Sequence, residues 1–214
     1  PRAGGERPVR DAPVAPPRAL AVDSQDTEQA HVVIGARALP AGDPDRFALA
    51  ALNEVLGGGA SSRLFQEVRE QRGLAYAVHS STAAFADAGT LTVYAGTHPA
   101  RVDELIEVVH AEIARLAGGG VSERELAVAR GHLRGSTVLG LEDAGARLGR
   151  LGRHQLAYGE VRPVEEALAR FGALTVADLA EVGERVLSQP PVLAVIGPFA
   201  ETDFAPAGRL PAGD

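Results

Sequence analysis

The chain has 214 residues, of which 45% are hydrophobic and 23% charged, the proportions of an ordinary globular protein with one core and tails. Its 21 basic residues are outnumbered by 28 acidic ones, for a net charge of -7, and aromatics reach only 4%; the electrostatic and stacking terms that hold nucleic acid are both poorly supplied. No apolar run approaches the roughly 18 residues of a membrane-spanning helix, so neither a nucleic-acid nor a membrane partner is expected.

Cysteine is absent and every basic residue is arginine. Disulfides, thiolate nucleophiles and Cys-based zinc sites are therefore excluded, as are a P-loop lysine, a Schiff-base lysine and a Ser-Lys dyad. Methionine is also missing, so the sequence is expected to come from something longer, with any targeting signal upstream. A cytoplasmic location is the default expectation.

Residues 1–28 carry Pro1, Pro8, Pro13, Pro16 and Pro17 without apolar periodicity and read as a Pro-rich linker or irregular lead-in. A folded α+β domain is expected over 29–199, with a tail at 200–214. "AHVVIGARAL" reads as a strand, followed by a turn and a helix capped by Asp43 with Pro44 at its first position. Leu49, Leu52, Val55 and Leu56 form that helix's buried face, and Gly57, Gly58 and Gly59 end it.

A second helix is predicted from about Ser62 to Arg72, stopped by Gly73. "LAYAVHSSTAAF" and "GTLTVYAGT" then form an antiparallel hairpin. Val102, Leu105, Ile106, Val109, Ile113 and Leu116 make a helical stripe up to Gly118. Further helices are expected near 122–139, 142–158, 162–172 and 175–187, with capping boxes at Ser122/Glu125 and Thr175/Asp178. "PVLAVIGP" supplies a final buried strand. Four strands and several helices predict an α+β layer in which helices cover a mainly antiparallel or mixed sheet.

The chemistry is narrower than the fold. His31, His79, His98, His110, His132 and His154 are never closer than twelve positions, so neither H-x-x-E-H nor H-E-x-x-H occurs, and no helix of this chain is expected to bind metal alone. His79 and His98 could approach across the hairpin, or could simply be strand histidines at a solvent edge. Ser61 and Ser62 do not complete G-x-S-x-G and read as helix caps. "GGGASS" fits an anion cradle or equally a helix junction needing backbone freedom. Arg69 and Tyr76 flank a helix stop, and a guanidinium and a phenol there can both donate to the carbonyls of an extended peptide. The plainer alternative is a solvated helix arginine and a tyrosine that favours strands.

The run "EQAHVVIGARALPAGDPDRFALAALNEVLGGGASSRLFQEVREQRGLAY", with "LGRLGRHQLAYGEV" and "PVLAVIGP", resembles the pitrilysin/insulinase family of zinc metallopeptidases, especially bacterial members similar to mitochondrial processing peptidase. The likeness extends from about Glu28 to Pro198. It implies one α+β half of a clamshell, the C-terminal type without a zinc motif. In that family the N-terminal half binds zinc through H-x-x-E-H and a downstream glutamate, so zinc is expected on a homologous partner domain or subunit, in a homo- or heterodimer or a single polypeptide. The resemblance implies substrate-backbone binding by Arg69 and Tyr76. It also places Gly57, Gly58 and Gly59 near a substrate-handling glycine loop, which is longer in the processing peptidases. A peptide is the substrate this implies; a catalytically inactive core-type subunit is the alternative.

Overall fold

The computed structural model describes residues 19–204. Five strands form one sheet in the order β1-β5-β2-β4-β3. They are β1 (Leu20–Ser24), β2 (Ala30–Ala38), β3 (Ala75–Ala84), β4 (Gly89–Thr97) and β5 (Val192–Gly197). The β1/β5 pair is parallel and the other three pairs are antiparallel, so the sheet is mixed, as expected from the sequence.

Alternation of side chains decides which face the helices take. On β2 and β4, Val32, Ile34, Leu91, Val93 and Ala95 are buried, and they meet the apolar faces of α1 (Arg46–Gly57), α2 (Val102–Ala117) and α6 (Val176–Leu187). Leu52 and Leu56 of α1, Leu105 and Leu116 of α2 and Leu179 of α6 are completely enclosed there. Helices α3 (Glu123–Gly140), α4 (Ala144–Tyr158) and α5 (Val164–Ala173) complete the helical side. The stripe predicted on α2 is buried at Val102, Leu105, Ile106, Val109 and Leu116, with Ile113 packed half-buried beside it. Both capping boxes form: Ser122 with Glu125 opens α3, and Thr175 with Asp178 opens α6.

Three details depart from the sequence reading. The stretch 20–24, expected to be irregular, is strand β1, paired with β5; Leu20 and Val22 pack against the core, which a five-residue run beside prolines does not reveal. Residues 1–18 lie outside the described residues. At the other end, the tail expected from residue 200 begins with a turn over Glu201–Asp203 that buries Phe204 against the Phe199 ring, 5.4 Å between centroids. Helix α1 starts at Arg46 and not at Pro44. Asp43 accepts from the Asp45 amide (2.9 Å) and, with Asp45, from Arg185 of α6 (2.8 and 2.9 Å). The acid expected to cap the helix instead pins the loop before it. Among the described residues no helix is long and apolar enough to cross a membrane.

Candidate functional site

Between Ser62 and Gly73 the chain winds into a π-helical segment, Phe65–Gln71. This wider turn is uncommon and occurs disproportionately at functional sites. Val68 anchors it to the core. It ends at Gly73, whose φ of +57° lies in the left-handed region open to glycine. There the Leu74 amide donates to the Val68 carbonyl (2.7 Å) and the Gly73 amide to that of Arg69 (3.2 Å). The reversal sends the chain straight into β3, the terminal strand of the sheet.

That geometry brings Arg69 and Tyr76 together. The Arg69 guanidinium carbon lies 4.6 Å from the Tyr76 ring centre and 4.8 Å from that of Phe65. Cation–π contact uses the guanidinium faces and leaves its in-plane N–H groups for hydrogen bonding. Tyr76 is 80% exposed, far more than a ring retained for packing alone requires. It sits where the β3/β4 register slips between Ala75 and Ala77, and such a bulge re-aims a side chain. Phe65 was missed in the sequence; its signal was the i, i+4 spacing to Arg69.

The segment is clamped from behind. Arg63 donates to both Glu125 oxygens (2.6 and 3.0 Å) and to the Gly120 carbonyl, and lies 3.8 Å from buried Glu112. Burial pushes the Glu125 carboxyl up, but the Arg63 hydrogen bonds, the Ser122 amide and hydroxyl, and the Arg63 charge outweigh it and hold it at about 2.

The three glycines behave differently. Gly57 lies against β3, where a Cβ would stand 2.5 Å from the Ser80 amide nitrogen, whereas nothing lies within 4 Å of a Cβ on Gly59. A Cβ on Gly58 would meet Glu54 of its own helix. Gly57 is thus the close approach that sets α1 on β3. Gly59 lines a separate cleft of about 640 Å³ with Glu54, Ser61, Arg124, Val128 and His132. Arg69 and Tyr76 do not line that cleft.

The histidines are dispersed. His31 Nδ1 bonds the Tyr94 hydroxyl (2.9 Å), and His79 stands 5.2 Å from the Tyr94 ring. His79 faces Tyr94 across the hairpin, while His98 lies beyond the end of β4 and accepts from the Ala100 amide; the strands do not bring these two together. His132 pairs with Glu54 (2.5 Å). Among the described residues no group of three or more metal-ligating side chains converges. A two-member His–Glu pair falls short of the donor set that zinc needs, so these residues do not fit a zinc site.

Residues 2–133 match the family described as the peptidase M16 inactive domain. An uncharacterized zinc protease of Streptomyces coelicolor is 47% identical over 82% of this chain and 38% of its own length. The chain belongs to the peptidase M16 family, as its inactive domain. The family resemblance seen in the sequence, carried mainly by residues 28–76, is borne out. The fold agrees: the solved peptidase M16 inactive domain from Pseudomonas fluorescens superposes with a TM-score of 0.82 at 23% identity, over 92% of this chain and 47% of that one. A chain of Complex III2 from Candida albicans does so at 0.75 and 19% identity, over 86% and 46%. The chain spans less than half of the Streptomyces relative's length.

Proposed function

We propose that this M16 inactive domain is the substrate-binding, non-catalytic half of a zinc metalloendopeptidase, completed by a homologous half that carries H-x-x-E-H. The observation that carries the reading is the Arg69–Tyr76 stack at the start of an exposed edge strand. Strand β3, "AYAVHSSTAA", has no lysine, acid or proline, three of the devices that keep another strand from adding to an edge, and its one bulge lies at its start, between Ala75 and Ala77. An extended peptide adds there by main-chain hydrogen bonds, which give affinity with little demand on sequence.

In this reading the Tyr76 hydroxyl and the Arg69 N–H groups donate to peptide carbonyls and hold the chain in register. Phe65 orients the guanidinium by stacking. Gly57 keeps α1 close behind β3. The partner half supplies zinc and the general base; this chain orients the peptide and contributes hydrogen-bond donors.

The test is steady-state cleavage of an unstructured peptide by the joined halves. Tyr76→Phe keeps the ring stack and deletes only the hydroxyl, and Arg69→Lys keeps the charge and deletes the planar fork. Each is expected to lower kcat/KM by about tenfold or more, the loss of one or two charge-assisted or neutral hydrogen bonds. Turnover unchanged in both removes the pair from the site.

The alternative reading is a catalytically inactive scaffold or core-type subunit of the same fold. The two separate on whether the partnering half retains H-x-x-E-H and binds zinc.

A further inference from the structure

Helix α4 is built inside out. An amphipathic helix normally turns its apolar stripe to the core. Here Leu148, Leu151 and Leu156 are 71%, 45% and 77% exposed, and none of the helix's described residues is buried. Its polar groups make the attachments. The Tyr158 hydroxyl donates to the Ala41 carbonyl (3.0 Å), Arg150 donates to the Arg162 carbonyl, and the Tyr158 ring receives the Arg162 guanidinium at 4.2 Å.

At about 100° per residue the three leucines, with Ala144, Gly152 and Gln155, occupy one face of about 140° that contains no charge. Arg147, Arg150 and Arg153 fall outside it. The apolar surface continues at both ends. Val138 and Leu139, 44% and 65% exposed, immediately precede the turn into α4, and Phe85, 61% exposed, bonds through its carbonyl to the Ala41 amide beneath Tyr158.

We infer that the outer face of α4 is the seat of the complementary, zinc-bearing half, an inference that rests on the peptidase-half reading above. Two observations select this occupant. The chain covers only 38% of the Streptomyces relative, so most of such a polypeptide is available to cover the face. The face is also flanked on the helix by two arginines, Arg147 at one edge and Arg153 at the other, within a protein of net charge -7. The partner surface is therefore apolar at its centre with an acidic rim, which rejects a second copy of the same basic rim by like-charge contact.

The experiment uses the 214-residue chain and, expressed separately, the part of the Streptomyces coelicolor relative that this chain does not match, followed by sedimentation velocity and calorimetry. A one-to-one complex is expected, and Leu148→Glu with Leu156→Glu is expected to weaken it at least about a hundredfold, since central buried leucines carry interface affinity. Ile196→Glu, on the distant β5, is expected to change affinity less than about twofold. Because all three side chains are exposed, circular dichroism should be unchanged.

Absence of a wild-type complex, or one that tolerates both substitutions, overturns the inference. A wild-type dimer of this chain that the double variant dissolves gives the face to a second copy and also overturns it. Peptide cleavage in the same mixtures separates the two proposals. A leucine-dependent complex that cleaves nothing upholds the interface and refutes the peptidase reading; cleavage indifferent to the substitutions does the reverse.

Discussion

Adding one methyl group at Gly57 tests how tightly α1 is seated on the strand that carries Tyr76. A Cβ there would lie 2.5 Å from the Ser80 amide nitrogen, 2.7 Å from its Oγ and 2.9 Å from its Cβ. The first is backbone in a paired strand, so it cannot swing aside as a flexible side chain would. Either α1 lifts or β3 shifts, a strain typically costing about 1–3 kcal/mol. Opposing this, alanine is favoured over glycine in a helix by about 0.5–1 kcal/mol, but Gly57 is the last helical residue and realises only part of that gain. The clash should win, leaving a net loss of about 1–2 kcal/mol. At about 2–4 °C per kcal/mol for a chain of this size, Gly57→Ala should melt roughly 2–8 °C lower. Gly59→Ala is the internal control: with nothing within 4 Å and no positive φ, it should leave the midpoint unchanged or raise it slightly. Paired thermal and urea denaturations decide the matter. A Gly57→Ala melting point equal to that of Gly59→Ala would refute the close-approach argument.

Arg63→Ala should destabilise the fold by about 1.5–3 kcal/mol in urea titration, because it strips the half-buried Glu125 of its charge-assisted partner and unpins the π-helical segment; a loss below about 0.5 kcal/mol would contradict the clamp. Acid should also weaken the protein in a definite window. Burial lowers the pKa of His110, and burial together with Arg150, Arg162, Arg153 and Arg46 lowers that of His154, both from the ordinary 6.5. The unfolded chain then binds more protons near and below that value, so stability is intact above it and falls as the pH drops from about 7 toward 5. Melting curves across that range should show the decline, and His154→Gln should flatten part of it.

How far these features could be read in advance depended on whether neighbours in sequence were neighbours in space. The Ser122/Glu125 and Thr175/Asp178 capping boxes and the α2 stripe are local, and they form as their spacing dictates. The hairpin was legible from alternation on β4. Strand β1 was not, because its partner β5 lies about 170 residues away and the five-residue run "LAVDS" has no pattern of its own. Asp43 looked like a helix cap until Arg185, from the opposite end of the chain, competed for its carboxylate. The Arg69–Tyr76 pairing was suggested by spacing around a glycine stop, but the π-helical winding and the Phe65 contact that bring the guanidinium onto the rings carry no simple signature. The inverted polarity of α4 was hidden for a related reason: "LGRLGRHQLAY" reads as an ordinary amphipathic helix, and only tertiary contacts reveal which side faces out.

The role proposed for this chain is to handle substrate for chemistry performed on another half. It is tested most directly by mixing the chain with its zinc-bearing half and measuring cleavage of an unstructured peptide, with and without a chelator. Chelator-sensitive cleavage in the mixture, reduced by Tyr76→Phe, and none from either half alone is the expected result. Complex formation without cleavage, with zinc confirmed on the partner, would contradict it and leave a scaffold.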